Sequence, residues 1–494
     1  MFANLSNFVQ KEWFILLLLA FLTIPLRFIH LGYSDYVKDE HRTLYDDRVK
    51  VPTLQYFLSQ RKGPMQIFVS YIPYLFAHDF NNELAERIPY ALINVASVLV
   101  FYKLVLKLTQ KRLTALISAL LYLVNGFISG FGRIVQYQNL NLLFTFMALI
   151  LYADLLKPTD FKKSVKKSLL GTLFFSLSVL SHWDAVFVIA PISIIFFIFA
   201  GSKSFIIKDK LLLLVVNFLL GCLILLPYLI PYINYQATST ANENYFFRRV
   251  GMGEKDHSFK TLIELYNPFV FYWLWTVGVV IGAFFIKKSY LFLSWFVFTY
   301  IIFEFFVIKP GTHIYNFVVP GLVLSAIGIE KIISILPKYL KLIPAVSFVV
   351  AFSFLYYQTY VLFVDHTIEY PWKQETLLGK YKTINYEKYK VLPLFGFPLK
   401  RDWDQINKYI NEQNGKGEKQ LGYITNEDAS TSSFYMDTYY GQSSPQYYYV
   451  AIKRPLSFVN DWKAVQIGKK STVHEIVVND ETVVKIYLVQ NKEQ

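Results

Sequence analysis

The sequence predicts a polytopic α-helical membrane protein with about 11 transmembrane helices and a small external α+β domain at its C-terminal end. Three observations lead to this fold class. The 494 residues are 54% hydrophobic and only 17% charged, whereas about a quarter of a typical soluble domain is charged. Eleven apolar stretches approach the roughly 20 residues that a helix needs to cross a bilayer. No such stretch occurs in residues 365–494, which alternate between helical and strand patterns.

The apolar stretches define the predicted spans. They are residues 14–31, 87–106, 113–129, 139–156, 168–182, 184–200, 211–232, 267–286, 289–308, 314–330 and 342–364. The first has no small-residue cleavage site, so we interpret it as a retained helix and not as a signal peptide. The single cysteine, Cys222, lies inside a span and excludes a disulfide framework or a cysteine-based metal site.

The net charge of +14 is of the kind often associated with nucleic-acid binding, but its distribution favours a role in membrane topology. Residues 365–494 have a net charge of +1, from 17 Lys and Arg against 16 Asp and Glu, which leaves +13 in residues 1–364. Seventeen cations lie in five short loops, and these loops share one side if the N-terminus is cytoplasmic. We therefore expect a multi-pass plasma (inner) membrane protein with an extracytoplasmic C-terminal domain and no nucleic-acid partner.

Residues 1–364 form the predicted membrane domain, and residues 365–494 form the external one. Within the first, residues 33–86 are predicted as one long external loop. Its apolar stretch Met65–Ala77 is short for a crossing and is interpreted as an interfacial helix. The predicted elements of the external domain are a helix over Leu399–Gln413 and strands over Leu421–Thr425, Tyr447–Ile452, Val473–Val478 and Thr482–Val489, the last two joined by a hairpin.

Six groups of polar or charged residues fall on the predicted external side, beside or within spans, where charges are costly and mark candidate sites. They are Asp35, Asp39-Glu40-His41 and Asp46-Asp47; Arg61 and Lys62; Arg133; His182 and Asp184; Lys309, His313 and Tyr315; and Arg248 and Arg249. Each group also has a structural explanation, such as a solvated acidic loop, basic anchoring at the membrane surface, snorkelling, helix capping or an ion pair.

An acidic loop surrounded by cations on the external face suits one kind of chemistry. Cations can neutralise the phosphate of an anionic lipid carrier and of the leaving group. A carboxylate can remove the proton from an attacking hydroxyl or amine. The pattern therefore favours group transfer from a lipid carrier to an external acceptor.

At these residues the sequence resembles the GT-C superfamily of polyprenyl-phosphate-sugar-dependent glycosyltransferases, in particular the family 39 protein O-mannosyltransferase-like enzymes and the aminoarabinose transferases of lipid A. The resemblance rests on Asp39-Glu40 after the first span, Lys62-Gly63-Pro64 before an interfacial helix, Arg87 at the start of a span, Arg133 followed by Gln136-Tyr137-Gln138, and His313-Ile314-Tyr315. Two departures stand out: the family often has a proline where this chain has Gly63, and an acidic residue where it has glutamine.

The resemblance implies an inverting membrane glycosyltransferase of the cell envelope. Asp39 would be the catalytic base, and Glu40 would position the acceptor or orient the site. The lipid phosphate and sugar would be held by residues from several loops: Lys62, Arg133, His182, Asp184, Arg248, Arg249, Lys309, His313 and Tyr315. The expected partners are a polyprenyl-phosphate-linked sugar donor, membrane lipid and an external acceptor that the sequence does not identify.

No cofactor is firmly expected. No second acidic motif with ligand spacing accompanies Asp39-Glu40, which favours catalysis without a metal, although a divalent cation at the Asp39/Glu40 loop stays an alternative.

Two other functions remain open at this point. A transporter or flippase for a lipid-linked sugar would show inverted repeats and charges near the bilayer midplane. A non-enzymatic scaffold could use its tyrosine-rich external domain to bind a glycan or a protein.

Overall fold

The computed structural model describes residues 11–41, 43–44, 53–59, 63–78, 80–237, 258–267, 269–308, 310–367, 369, 376–377, 381–382, 395–417, 420–442, 446–454 and 472–490. Up to residue 367 these residues are almost entirely helical. The helices are α1 (Glu12–Phe28), α2 (Lys38–His41), α3 (Thr53–Ser59), α4 (Met65–Ala77), α5 (Glu83–Thr109), α6 (Arg112–Leu123), α7 (Gly126–Phe131), α8 (Tyr137–Tyr152), α9 (Phe161–Ser181), α10 (Ile189–Gly201), α11 (Ile207–Ala237), α12 (Ser258–Tyr266), α13 (Phe269–Ala283), α14 (Ile286–Phe305), α15 (Tyr315–Ile335) and α16 (Leu342–Phe363).

Helical structure overlaps every one of the eleven predicted spans, which confirms the predicted fold class of the membrane part. Among the described residues, six helical segments are long and apolar enough to cross a membrane: Glu83–Thr109, Tyr137–Leu156, Trp183–Gly201, Ile207–Tyr235, Gly311–Ile335 and Leu342–Phe363. Four shorter apolar helices accompany them, and one of these is the predicted interfacial helix Met65–Ala77. The count of eleven crossings stays a prediction.

Helix α9 begins earlier than predicted, within the lysine-rich segment that precedes its apolar part. Asp160 explains the start, because its side chain accepts the Lys163 N–H at 2.7 Å and caps the first turn. A prediction based on apolar residues misses the first turns of α9, because most of their residues are polar. Two short 3₁₀ segments, Trp183–Val188 and Gly311–Ile314, lead into α10 and α15 and carry Asp184 and His313.

A buried arginine connects the first helices. Arg27 is fully buried and donates to Asn94 Oδ1 at 2.7 Å, to Ser129 Oγ at 3.1 Å and to the Leu123 carbonyl at 2.8 Å. A buried guanidinium without such partners would be strongly destabilising. Arg27 therefore connects α1 to α5 and to the turn between α6 and α7 through hydrogen bonds in an otherwise apolar region.

The C-terminal part contains a helix packed on a mixed sheet, as the sequence predicts for an α+β fold. Its elements are the two-residue strands β1 (Thr376–Leu377) and β2 (Tyr381–Lys382), helix α17 (Trp403–Lys416), strand β3 (Tyr423–Thr425), helix α18 (Ala429–Tyr435), and strands β4 (Gln446–Ile452), β5 (Thr472–Val478) and β6 (Glu481–Gln490). Strands β3 to β6 form one sheet in the order β3-β4-β6-β5, with β3 parallel to β4 and the other pairs antiparallel.

The predicted hairpin joins β5 and β6. Its turn residues Asn479 and Asp480 have φ values of 49° and 60°, as a two-residue hairpin turn requires, and Asn and Asp tolerate this backbone region better than most residues. Helix α18 and the β1–β2 pair were not predicted.

The C-terminal part docks onto the segment that follows α1. The Asp35 N–H donates to the Leu399 carbonyl at 2.9 Å, and Asp35 Oδ2 accepts the Arg401 N–H at 2.5 Å. The Tyr435 hydroxyl accepts the Tyr36 N–H at 2.6 Å and donates to Glu83 Oε1 at 2.7 Å. These contacts hold the C-terminal part against the segment that precedes Asp39 and Glu40.

Candidate functional site

Two groups of buried polar residues make up the candidate site, and the first is centred on Glu40. Its carboxylate is fully buried and receives a bidentate pair of hydrogen bonds from Arg87, Nε to Oε1 and Nη2 to Oε2, each at 2.9 Å. It also accepts the Val37 N–H at 2.9 Å and the Val135 N–H at 2.8 Å. Both oxygens are thus occupied by the protein itself.

Arg87 is equally enclosed. Its terminal nitrogens also donate to the carbonyls of Leu31 at 3.2 Å, Ser34 at 2.7 Å and Asp35 at 3.0 Å. Multiple charge-assisted bonds of this kind offset the cost of burying both charges. The Glu40–Arg87 pair therefore fixes the path of the chain between α1 and α2.

Asp39 precedes Glu40 on the same short helix and is only partly buried. Successive residues on a helix point about 100° apart. While Glu40 faces Arg87, Asp39 consequently faces a different direction. The structure thus separates the environments of the two neighbouring carboxylates.

The second group is centred on Asp184, which is buried between two imidazoles. Asp184 Oδ1 lies 3.0 Å from His182 Nδ1, and Asp184 Oδ2 lies 2.9 Å from His313 Nδ1. The Tyr315 hydroxyl donates to Asp184 Oδ2 at 2.9 Å. Two turns that are far apart in sequence meet here, which brings four of the predicted site residues together.

Helix α8 contributes two residues to this second group. The Tyr137 ring stacks on His182 with a centroid distance of 3.8 Å, and its hydroxyl lies 3.3 Å from His313 Nδ1. Asn141 donates to the Ser178 and His182 carbonyls at 3.2 and 3.3 Å. Asn141 was not among the predicted site residues, and Tyr137 was named only as part of a motif. Both lie in the polar first two turns of α8, at the start of an apolar helix, and this position could have identified them.

One short segment connects the two groups. Val135 donates to Glu40 and Tyr137 contacts His313, and two residues of chain span at most about 7 Å. The Gln66 side chain from α4 donates to the Val135 carbonyl at 2.9 Å and holds this segment in place. Segment 135–137 therefore contacts both the Glu40 group and the histidine group.

The Lys62 element approaches the same place. Lys62 lies outside the described residues, but the next residue, Gly63, donates its N–H to the Ser181 carbonyl at 3.2 Å. A Cβ at position 63 would lie only 1.7 Å from the Leu180 carbonyl oxygen, so a glycine is required for this contact. The departure from the family's proline thus coincides with direct packing against the end of α9, beside His182.

Arg133 is buried, and its guanidinium is directed at the end of α1. Its Nη1 donates to the carbonyls of Leu26 and Arg27 at 3.0 and 3.3 Å, and its Nη2 donates to those of Ile29 and His30 at 2.9 and 3.2 Å. These include terminal carbonyls that a helix leaves unpaired, and a cation there also complements the helix dipole. Arg133 thus has a capping role in this structure, and its contact with phosphate stays a prediction.

The remaining predicted residues, Arg248, Arg249 and Lys309, lie outside the described residues, as do Asp46 and Asp47. For a metal at the Asp39/Glu40 loop, Glu40 offers no oxygen that is not already bonded to the protein. Within the described part of the chain, the residues that could hold a metal ion are His182, Asp184 and His313. The arrangement by itself establishes no cofactor.

Comparison with known families and folds agrees with this geometry. Residues 62–230 match the model of the dolichyl-phosphate-mannose-protein mannosyltransferase family. This stretch includes Arg87, Arg133, His182 and Asp184. No curated protein sequence matches the chain significantly.

Solved structures share the architecture over nearly the whole chain. ArnT from Cupriavidus metallidurans, solved with undecaprenyl phosphate, matches with a TM-score of 0.55 at 10% identity and covers 95% of this chain and 97% of its own. The oligosaccharyltransferase AglB from Archaeoglobus fulgidus, solved with an inhibitory peptide and a dolichol-phosphate, matches with a TM-score of 0.51 at 15% identity, over 90% of this chain and 61% of its own.

The solved structures establish the fold, which this chain shares with ArnT and AglB and which is of the GT-C type. Over residues 62–230 the chain is similar to the dolichyl-phosphate-mannose-protein mannosyltransferase family.

Proposed function

We propose that this protein transfers a sugar from a polyprenyl-phosphate carrier to an acceptor on the external side of the membrane. The carrier class is supported by two structures with the same fold, which were solved with undecaprenyl phosphate and with a dolichol-phosphate. The acceptor class is a protein, a lipid or a glycan, and the site geometry selects none of these.

The observation that carries the proposal is the junction between the two polar groups. Segment 135–137 binds Glu40 at one end and contacts His313 at the other. In the proposed complex, donor and acceptor would lie between the partly buried Asp39 carboxylate and the two partly exposed histidines. Sugar transfer needs a base near the acceptor and positive charge near the phosphate. Asp39 would supply the base, and the histidine group would lie near the phosphate.

In the proposed reaction, Asp39 accepts the proton from the attacking hydroxyl or amine of the acceptor. The freed electron pair forms a bond to the anomeric carbon while the bond from that carbon to the phosphate oxygen breaks. The polyprenyl phosphate leaves with that electron pair and gains one negative charge. Direct displacement by one nucleophile inverts the anomeric centre, and no covalent intermediate with the protein is needed.

The increased charge on the leaving phosphate requires stabilisation. His182 and His313 are the described residues best placed to supply it, with side chains 12% and 20% exposed. Lys62, the residue before Gly63 in the chain, is proposed to contribute a further cation. Arg248, Arg249 and Lys309 are proposed to contribute from the external loops, and Glu40 to orient the Asp39 helix through Arg87.

The test is the variant Asp39→Asn, assayed with radiolabelled polyprenyl-phosphate sugars in membranes or purified protein. Loss of a general base typically costs 10²- to 10⁴-fold in rate, so we expect transfer to fall by about that factor while thermal unfolding is unchanged. Asp404→Asn is the matched control, since Asp404 is an exposed carboxylate on α17.

Full activity of Asp39→Asn would contradict the assignment of the base. A wild-type protein that moves the lipid-linked sugar across vesicles but never transfers the sugar would contradict the proposed reaction itself and favour a flippase.

A further inference from the structure

We infer that His182, Asp184 and His313 form a three-ligand site for a divalent cation of the zinc type. One potential ligand atom from each residue lies within 4.8 Å of the others. The three residues come from the α9–α10 turn and from the 3₁₀ turn before α15. The site would be assembled only by folding.

The donor set fits zinc. Two imidazole nitrogens and one carboxylate oxygen are a ligand set of catalytic zinc sites, in which the fourth position stays open. Zinc bonds of 2.0–2.2 Å in a tetrahedron place neighbouring ligand atoms about 3.3 Å apart. Asp184 Oδ1 lies 3.0 Å from the Nδ1 atoms of both histidines, so each nitrogen would move about 0.3 Å away from that oxygen to reach the tetrahedral separation.

The hydrogen bonds around His182 favour a cation at this point. His182 Nδ1 accepts the Asp184 backbone N–H at 3.1 Å, and a ring nitrogen that accepts a hydrogen bond carries a lone pair. The same nitrogen lies 3.0 Å from Asp184 Oδ1. An unprotonated ring nitrogen is the form that binds a metal, and an ion would use its single lone pair in place of the Asp184 N–H contact.

Neighbouring residues hold the ligands in orientation, as the surroundings of metal sites usually do. Tyr315 donates to Asp184 Oδ2 at 2.9 Å, and Asn316 donates to the His313 carbonyl at 2.9 Å. Tyr137 stacks on His182 with an angle of 13° between the rings. Both histidine rings and the carboxylate are therefore restrained before an ion arrives.

The open fourth position would point to the side on which the two histidines are exposed, because Asp184 is the most buried of the three ligands. An anionic oxygen is the ligand that suits this position. If the proposed function holds, that oxygen belongs to the phosphate of the donor, and the ion would help to neutralise the leaving group.

Metal content tests the site without any sugar donor. The full chain, purified in detergent through a tag without histidine, is loaded with Zn²⁺, freed of excess ion and measured by plasma mass spectrometry. We expect one zinc per chain in the wild type and at least a tenfold loss of affinity in His182→Gln and His313→Gln. His474→Gln is the matched control, since His474 lies on strand β5 outside the group.

A second measurement protects the test against variants that fail to fold. Co²⁺ replaces zinc in the wild type, and we expect the intense visible absorption of a tetrahedral site, perturbed by added inorganic phosphate. A wild type that retains no zinc and shows only the spectrum of hydrated cobalt would overturn the proposal and leave a hydrogen-bonded histidine–carboxylate group. Metal binding without sugar transfer would instead contradict the proposed function alone.

Discussion

Glu40 and Asp184 are both buried carboxylates beside cationic or basic side chains, but their surroundings differ. Glu40 is enclosed by Arg87 and by two backbone N–H groups, and neither it nor Arg87 is more than 1% exposed. Asp184 is held by two histidines and a tyrosine, and both histidines retain some exposure.

The difference separates a structural ion pair from a group that can bind a ligand. The partner of Glu40 is an arginine, which keeps its proton and forms a fixed planar pair. The partners of Asp184 are histidines, which exchange protons near neutral pH and can bind metals. Both groups pair a carboxylate with basic side chains in the sequence, but the Glu40 group is a closed ion pair, whereas the Asp184 group has the residue types of a metal site.

The largest expected effect comes from breaking the closed group. Glu40→Gln would leave the Arg87 guanidinium buried without a countercharge, which costs about 3–5 kcal/mol in comparable cases. We expect this loss in the free energy of unfolding, measured in detergent with a chemical denaturant. The double variant Glu40→Gln/Arg87→Met should recover a large part of the loss.

A Glu40→Gln variant that is as stable as the wild type but inactive would contradict this prediction. Glu40 would then take part in the reaction and would not be a purely structural partner of Arg87. Glu12→Gln serves as the control, because the Glu12–Lys103 pair is 3.8 Å long and exposed and such pairs contribute little.

A smaller effect is expected from pH at the docking contact beside the closed group. Burial raises the pKa of Asp35 from its usual 3.8 to about 7, with the Glu83 carboxylate adding to the shift. Between these two pH values the folded protein binds more protons at Asp35 than the unfolded chain does. Stability should therefore fall as the pH rises from about 4 to 7, by at most about 1.4 kcal/mol per unit.

Asp35→Asn removes this titration, so its stability profile should be flatter than that of the wild type over the same window. Identical slopes in the two proteins would show that Asp35 does not link docking of the external domain to pH.

The smallest effect on stability is expected in the open group. Tyr315→Phe removes one hydrogen bond to Asp184, which is worth about 0.5–1.5 kcal/mol. Loss of a bond that orients a metal ligand typically lowers metal affinity 10- to 100-fold. We therefore expect a small change in thermal unfolding and a large change in zinc affinity, measured by competition with a chelator.

Tyr290→Phe is the comparison for this variant, since Tyr290 lies on α14 outside the group. Equal zinc affinities in the two variants would indicate that the Tyr315 hydroxyl does not orient Asp184 for metal binding.

Much of the architecture could be predicted because it follows from local periodicity. The helices at the eleven predicted positions, the bounds of helix Met65–Ala77 and the presence of the four strands of the main sheet could be predicted from the spacing of apolar residues alone. Helix α18 was missed because its sequence, Ala429–Tyr435, is rich in serine and threonine and begins with an Asp428 cap instead of an apolar pattern.

The candidate site was only partly predictable. The sequence selected His182, Asp184, His313 and Tyr315 as members of two separate loops, and the structure shows that they meet. It selected Arg133 for its isolated charge, but could not show that four backbone carbonyls surround that charge. Contacts between residues distant in sequence depend on packing and leave no local signal.

By itself, the sequence determined that this chain is a polytopic membrane protein with a small α+β domain, because hydrophobic content and periodicity act locally along the chain. The tertiary structure decided which of two adjacent acidic residues is sealed against an arginine and which stays partly exposed. It also decided that a histidine from each of two distant turns faces the same aspartate. The physical reason is that the energy of a buried charge depends on every group around it, and those groups are brought together only by the fold.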